Sequence, residues 1–268
     1  MRFLYEHKRG LLPTVILLTV LLTVFQAQAQ NFCVDFDGKS GSSVAAEHND
    51  SFDKIERELT MEAWVNPQRT LDEIVVNKEN CWEIGLKNGL LVCAVAPDGG
   101  IGWDWSGTGK IAENKWSHVA VVFDGTNLMT FLNGKKESSD AKWKLAKGQT
   151  IKKTKDPFLV GMRVLGGPLI NDPILGQIDE VRISDVARYT KDFPVPDREF
   201  EPDDNTIVLY HFNEPPGSKT AKDESKHGND GKLQKGTKFI ESKAPIAPAA
   251  VEAVNKLSTT WARIKAVE

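Results

Sequence analysis

The most regular alternation in the chain runs over residues 116–136, WSHVAVVFDGTNLMTFLNGKK. Residues 117–123 are rich in β-branched side chains and apolar on both alternating faces, as in a strand packed on both sides. Asp124-Gly125-Thr126-Asn127 is turn chemistry, because glycine tolerates positive φ and Asp and Asn bond their own backbone. Residues 128–132 read as the return strand. Asn133-Gly134 then predicts a second tight hairpin, since a type I′ turn needs positive φ at both central residues. The pattern is antiparallel β and not a βαβ unit.

Similar segments lie on either side. Residues 31–36 predict a first strand, ended by Asp37-Gly38 and a Ser/Gly-rich turn. Residues 59–67 predict a strand closed by Pro67, and residues 74–76, 81–86 and 90–96 continue a meander whose turn is Lys87-Asn88-Gly89. Residues 97–109 and 164–174 are Gly-rich loops. Residues 158–161, 176–184 and 206–212 predict three further strands, and Val186 to Tyr189 a short helical turn. Asp223, Ser225 and Asn229 read as turn organisers that bond the backbone through their side chains.

Both ends differ from this middle. Residues 1–29 carry Lys8 and Arg9, an apolar run over residues 11–25 and Ala27-Gln28-Ala29, the three regions of a cleaved export signal. Residues 30–242 read as one domain without internal repeat or linker. Residues 243–268 begin with a Pro/Ala linker. Beyond it Ala250, Val254, Leu257, Trp261 and Ile264 fall at spacings of four and three, a short amphipathic helix. The expected location is secreted, periplasmic or cell-surface, with no membrane anchor after cleavage.

A net charge of −3 over 268 residues argues against a nucleic-acid partner, which calls for a basic face. Three cysteines enter an oxidising compartment. Cys81 and Cys93 flank the Asn88-Gly89 hairpin an even number of residues apart, and two readings stand: a disulfide, or two buried thiols. Cys33 is left over on the first strand. His48, His118, His211 and His227 stand isolated and read as strand or loop residues. Asn49-Asp50-Ser51 is a formal glycosylation sequon.

The residues 116–136 resemble the central signature of laminin-G-like, concanavalin A-like jelly-roll domains. Phe36-Asp37-Gly38, LTMEAWVNP at 59–67, GQIDEVRISDVARY at 176–189 and residues 209–233 are similar to further stretches of that family. The resemblance covers roughly residues 31–239. It implies an all-β fold, a two-sheet antiparallel β-sandwich, and a module that binds rather than reacts. The glucanases of the superfamily place paired carboxylates on one strand as Glu-x-Asp-x-x-Glu. That motif is missing here, Asp179 and Glu180 being adjacent and so expected on opposite faces, and no Gly-x-Ser-x-Gly elbow occurs.

The resemblance also implies a structural Ca²⁺, held by the Gly38 carbonyl, Asp37 and Asp179; the other reading has Asp179 capping a turn or pairing with Arg182. For a ligand, Trp103, Asp104 and Trp105, with Asp98 and Asn80, supply indole surface for a sugar face and polar groups for its hydroxyls. Because Ile101, Trp103 and Trp105 alternate, the other reading points both indoles into the sandwich. The expected partner is a glycan, recognised without catalysis. The alternatives are an adhesion protein that binds another extracellular protein, and a divergent glycoside hydrolase.

Overall fold

The computed structural model describes residues 31–100, 105–163 and 172–247. Fifteen strands, numbered β1–β15 in chain order, form two antiparallel sheets among these residues. The first sheet runs β15 (Thr237–Glu241), β1 (Phe32–Asp37), β11 (Leu175–Ser184), β3 (Leu59–Pro67), β7 (Ser117–Phe123), β8 (Leu128–Leu132), β9 (Lys135–Asp140), and β12 (Thr206–Tyr210) joins it beside β11. The second runs β13 (Thr220–Ala221), β14 (Gly231–Leu233), β2 (Val44–Ala46), β10 (Phe158–Val160), β4 (Glu73–Lys78), β5 (Trp82–Lys87), β6 (Leu90–Val95). A single 3₁₀ turn, Phe52–Lys54, precedes β3.

The alternation read from the sequence fills the space between the sheets. Trp82, Ile84 and Leu86 of β5 meet the layer to which β7 contributes Val119, Val121 and Phe123, all buried. Both predicted hairpin turns form, with φ of 49° and 74° at Asn133 and Gly134 and 50° and 75° at Asn88 and Gly89. At Gly134 a Cβ would also stand 2.1 Å from the Phe193 carbonyl oxygen, so the position admits only glycine.

The outer side of the first sheet is closed by the segment after β11. Glu62 of β3, fully buried, takes Arg182 Nε at 2.8 Å, Arg182 Nη2 at 2.7 Å and the Tyr189 hydroxyl at 3.0 Å. Tyr189 stacks on Phe193 with centroids 3.6 Å apart, and the Arg182 guanidinium lies 4.0 Å from the Phe200 ring centre. The glutamate of LTMEAWVNP and the arginine of GQIDEVRIS are therefore one buried pair that docks this segment.

Several expectations are corrected. Residues 186–189 form no helical turn but an extended strap that bonds β3, through Thr60 Oγ1 to the Val186 carbonyl at 2.7 Å. Asp179 and Glu180 do not fall on opposite faces in the ordinary way. A register shift follows Asp179, Glu180 takes φ 49°, and both side chains are buried. Arg182 pairs with Glu62 rather than Asp179.

No disulfide forms. Cys33, Cys81 and Cys93 are free, buried thiols. Cys93 faces Ile84 across the hairpin, and Cys81 is bonded instead by the Ala96 amide at 2.8 Å. Three register positions, about 10 Å along the strand, separate the two cysteines, beyond the Cα spacing a disulfide spans. The two-residue turn pairs residues of opposite parity, Ile84 with Cys93, so an even separation neither places Cys81 and Cys93 on one face nor makes them opposite.

The expected Asp223 turn is present: its carboxylate receives the amides of Leu209, Ser225 and Asn229 at 2.8–2.9 Å. The export signal and the C-terminal helix fall outside the described residues. Up to Ala247 the linker runs back along the domain, bonding Asp197 and Glu199 through the Ala247 backbone. No helix among the described residues is long and apolar enough to cross a membrane.

Candidate functional site

Strand alternation sends Asn77 of β4 and Glu83 of β5 to the outer side of the second sheet, where they are directly paired. Their side chains touch, Asn77 Nδ2 donating to Glu83 Oε2 at 2.6 Å. Gly85 continues the same row. The Trp105 indole lies over it so closely that a Cβ at Gly85 would meet two ring atoms at 3.2 Å. Trp105 is therefore not in the sandwich core; it packs on the outside of β5 and is partly exposed.

Arg163 ties this face together. Its Nη1 stands 3.4 Å from Glu83 Oε1, its Nη2 is 2.5 Å from Asp172 Oδ2, and its guanidinium lies 5.6 Å from the Trp105 ring centre. Glu73, at the other end of β4, accepts from Arg69 Nε at 2.5 Å and from the Leu175 amide at 2.9 Å. Between Glu73, Trp105, Arg163 and Asp172 remains a space of about 30 Å³. That volume holds a water or two rather than a sugar ring, so a larger ligand meets this layer from its outer edge.

Burial dominates the electrostatics. It pushes the Glu83 carboxyl up to about 8 against the pull of Arg163, with Glu79 and Asp172 adding to the rise. Burial also raises Glu73 and Glu79. Several buried polar atoms here have no protein partner: Asn77 Oδ1, Glu79 Oε2, Glu73 Oε2 and Arg163 Nε. Buried polar atoms are ordinarily satisfied, so such a group on one face marks a place for water or a ligand.

The residues expected from sequence divide. Trp105 is in this layer; Trp103 and Asp104 lie outside the described residues. Asn80 is an exposed turn residue with φ 58°, which accounts for an asparagine there. It stands five positions from Gly85 along the chain, about 17 Å of strand. Asp98 is exposed in the loop after β6, held by its backbone to Thr150 and Gln149. Asn80 and Asp98 are thus not gathered with Trp105. Sequence reading passed over Asn77, Glu83, Arg163 and Asp172. The one available signal was Glu83-x-Gly85, a charge and a gap on the outer face of an otherwise apolar strand.

The three residues considered for calcium are not brought to one place. Asp37 faces Leu175 across β1 and β11, which leaves Asp179 four positions further, about 13 Å along the strand. The Gly38 carbonyl has Arg69 Nη2 at 3.5 Å, a guanidinium where a cation would have to sit. Asp179 is enclosed and occupied by the Ser242 hydroxyl at 2.6 Å and the Glu180 amide at 2.9 Å. These residues do not fit a shared Ca²⁺ site. His48, Asp50 and Asp53 do converge within 4.8 Å. Lys155 Nζ already stands 2.9, 3.5 and 3.1 Å from them, so the chain supplies that positive charge itself.

The histidines are strand and loop residues, but three of them face carboxylates. His118 Nε2 lies 3.4 Å from Glu62, and His211 Nδ1 is 2.6 Å from Glu180. His48 stands near Asp53 at 3.7 Å. Asn49 and Ser51 of the sequon serve the 3₁₀ turn, Asn49 Oδ1 accepting the Ser51 amide at 2.9 Å.

Comparison with known proteins agrees with this architecture. A crystal structure described as a "putative carbohydrate binding protein" from Bacteroides ovatus is 19% identical, with a TM-score of 0.62 over 82% of this chain. The chain spans 62% of that protein's length. A native heptameric SAP-like pentraxin from Limulus polyphemus matches at 15% identity and TM-score 0.45, covering 60% of this chain and 79% of the other. Domains LG4-5 of the mouse laminin alpha1 chain match at 13% and 0.44, covering 62% and 46%. Among curated proteins none matches the chain. The model of the concanavalin A-like lectin/glucanases superfamily matches residues 37–192, more than half of the chain, and the protein belongs to that family.

Proposed function

We propose that the protein is an exported, non-catalytic glycan-binding module whose site is the outer face of the second sheet around Trp105, Arg163 and Asp172. The observation that carries this reading is the layer of buried, unpartnered polar atoms beside a partly exposed indole. Saccharides offer an apolar face to an aromatic ring and many hydroxyls to fixed donors and acceptors, and this layer has both complements. The carbohydrate-binding description of the Bacteroides protein of the same fold supports the ligand class. Calcium is not part of the proposal, since its three candidate ligands lie apart.

A glycan array probed with the chain, with calcium and again with EDTA, tests the reading. Saturable binding to a related group of glycans is expected, unchanged by EDTA. Trp105→Ala is expected to weaken it at least tenfold, about 1.4 kcal/mol. Absence of binding, or binding indifferent to Trp105→Ala, overturns the assignment and moves the protein toward recognition of another protein.

A further inference from the structure

Gly85 stands in the interior of β5, where glycine weakens a strand. Its backbone does not call for one, since its φ lies outside the left-handed region. The space where its side chain would be is taken: a Cβ would stand 3.2 Å from both Cη2 and Cζ3 of Trp105, and 3.1 Å from the Glu73 carbonyl oxygen. Those two ring atoms are the far end of the indole. Val92, the partner of Gly85 on β6, lines the same small space as the ring.

The backbone end of Trp105 is fixed as closely. Ser106 exchanges both backbone hydrogen bonds with Cys93 of β6, at 2.7 and 2.8 Å, and its hydroxyl donates to Asp140 Oδ2 of β9 at 2.8 Å. Cys93 belongs to the core, so alternation turns Ser106 inward and Trp105 outward. Gly107, with φ 131°, lets the segment lie flat on β6, where a Cβ would come within 2.7 Å of the Leu91 carbonyl oxygen. With the main chain held to the edges of both sheets, the depth and tilt of the ring are what remain to be set.

We infer that Gly85 is a positioning residue for ligand recognition: its missing side chain seats the far end of the Trp105 indole on β5 and so sets the ring face offered to a sugar. This rests on the glycan-binding reading and adds to it a residue that acts through Trp105 rather than by touching the ligand. Ordinary contact with a Cβ begins at 3.4 Å, so alanine at position 85 presses the ring outward slightly, and valine, with two further methyls, displaces it. A ring lifted from this seat also leaves the Arg163 guanidinium, now 5.6 Å from its centre. Stacking on a sugar depends on that placement.

The test uses the full chain labelled with 5-fluorotryptophan, its Trp105 resonance identified from Trp105→Phe, together with the same glycan array. Gly85→Ala and Gly85→Val are expected to move the Trp105 fluorine resonance and leave those of Trp64 and Trp116 in place. Array binding is expected to weaken severalfold for alanine and roughly tenfold for valine. A double-mutant cycle separates the ring from the Glu73 carbonyl: Gly85→Ala is expected to lower the melting temperature less in a Trp105→Ala background than in the parent. An equal loss in both backgrounds, with the Trp105 resonance unmoved, would assign the glycine to the carbonyl and overturn the inference, and this holds even if Gly85→Val does not fold. Binding lost in Trp105→Ala but unchanged in the Gly85 variants would also overturn it and leave the glycan site standing. A parent chain that binds no glycan would overturn both.

Discussion

Glu83 is the residue whose chemistry departs furthest from what its position in the sequence suggests. In WEIGL it reads as the polar member of an alternating strand, turned to water. In the structure it is fully buried on the outer side of the sheet, braced by Asn77 and Arg163. Its folded carboxyl titrates near 8, against 4.5 for the ordinary group. Between those values the folded state binds more protons than the unfolded one, so stability falls as pH rises from about 4.5 to 8. Glu83→Gln is expected to remove Glu83's share of that slope, on the order of a few kcal/mol across the window, and to leave the share of the other raised carboxyls, Asp179 and Glu180 among them. Urea denaturation of both proteins at pH 5 and pH 8 checks it. A wild-type stability that rises over this range, or a slope unchanged in the variant, would contradict the assignment.

At the scale of elements, the legible parts of the sequence were those with a local rule. Asn133-Gly134 and Asn88-Gly89 announce hairpins because few other residues reach those φ values, and the apolar runs of β3, β5, β7 and β11 have no alternative to a core. The short or charged strands were not legible. β9, KKESSD, looks like a loop because it is an exposed edge, where lysine and charge guard the sheet rather than fill it. β2 and β14 owe their strand state to neighbours on both sides, β10 beside β2 and β13 beside β14, and not to any run of their own. The site escaped for the same reason: Asn77, Arg163 and Asp172 are separated in the chain and meet only through the register of β4 with β5 and the path after β10. The family signature, by contrast, proved to be architecture. Glu62 and Arg182, from two of its stretches, form the buried pair beneath Tyr189. Removing one partner leaves an unpaired buried charge, so Arg182→Met is expected to cost about 3–5 kcal/mol and to loosen the strap over residues 186–200. Thermal melts with limited proteolysis check this; a variant as stable and as resistant as the parent would remove the strap's ionic anchor from the account.

For the whole molecule, the proposed function divides the roles of the two sheets. The first is closed on its outer side by its own strap, with Tyr189, Phe193 and Phe200 packed over Glu62, His118 and Arg182. The second carries on its outer side the polar layer around Trp105 and Arg163, where the proposed recognition is assigned. Hydrogen–deuterium exchange with and without a saturating neutral glycan from the array tests this division most directly. Ligand-dependent protection is predicted in β4, β5 and residues 105–110, with the strap at 186–200 unaffected. Protection concentrated on the strap or on β7 and β8, and absent from β4 and β5, would contradict the account.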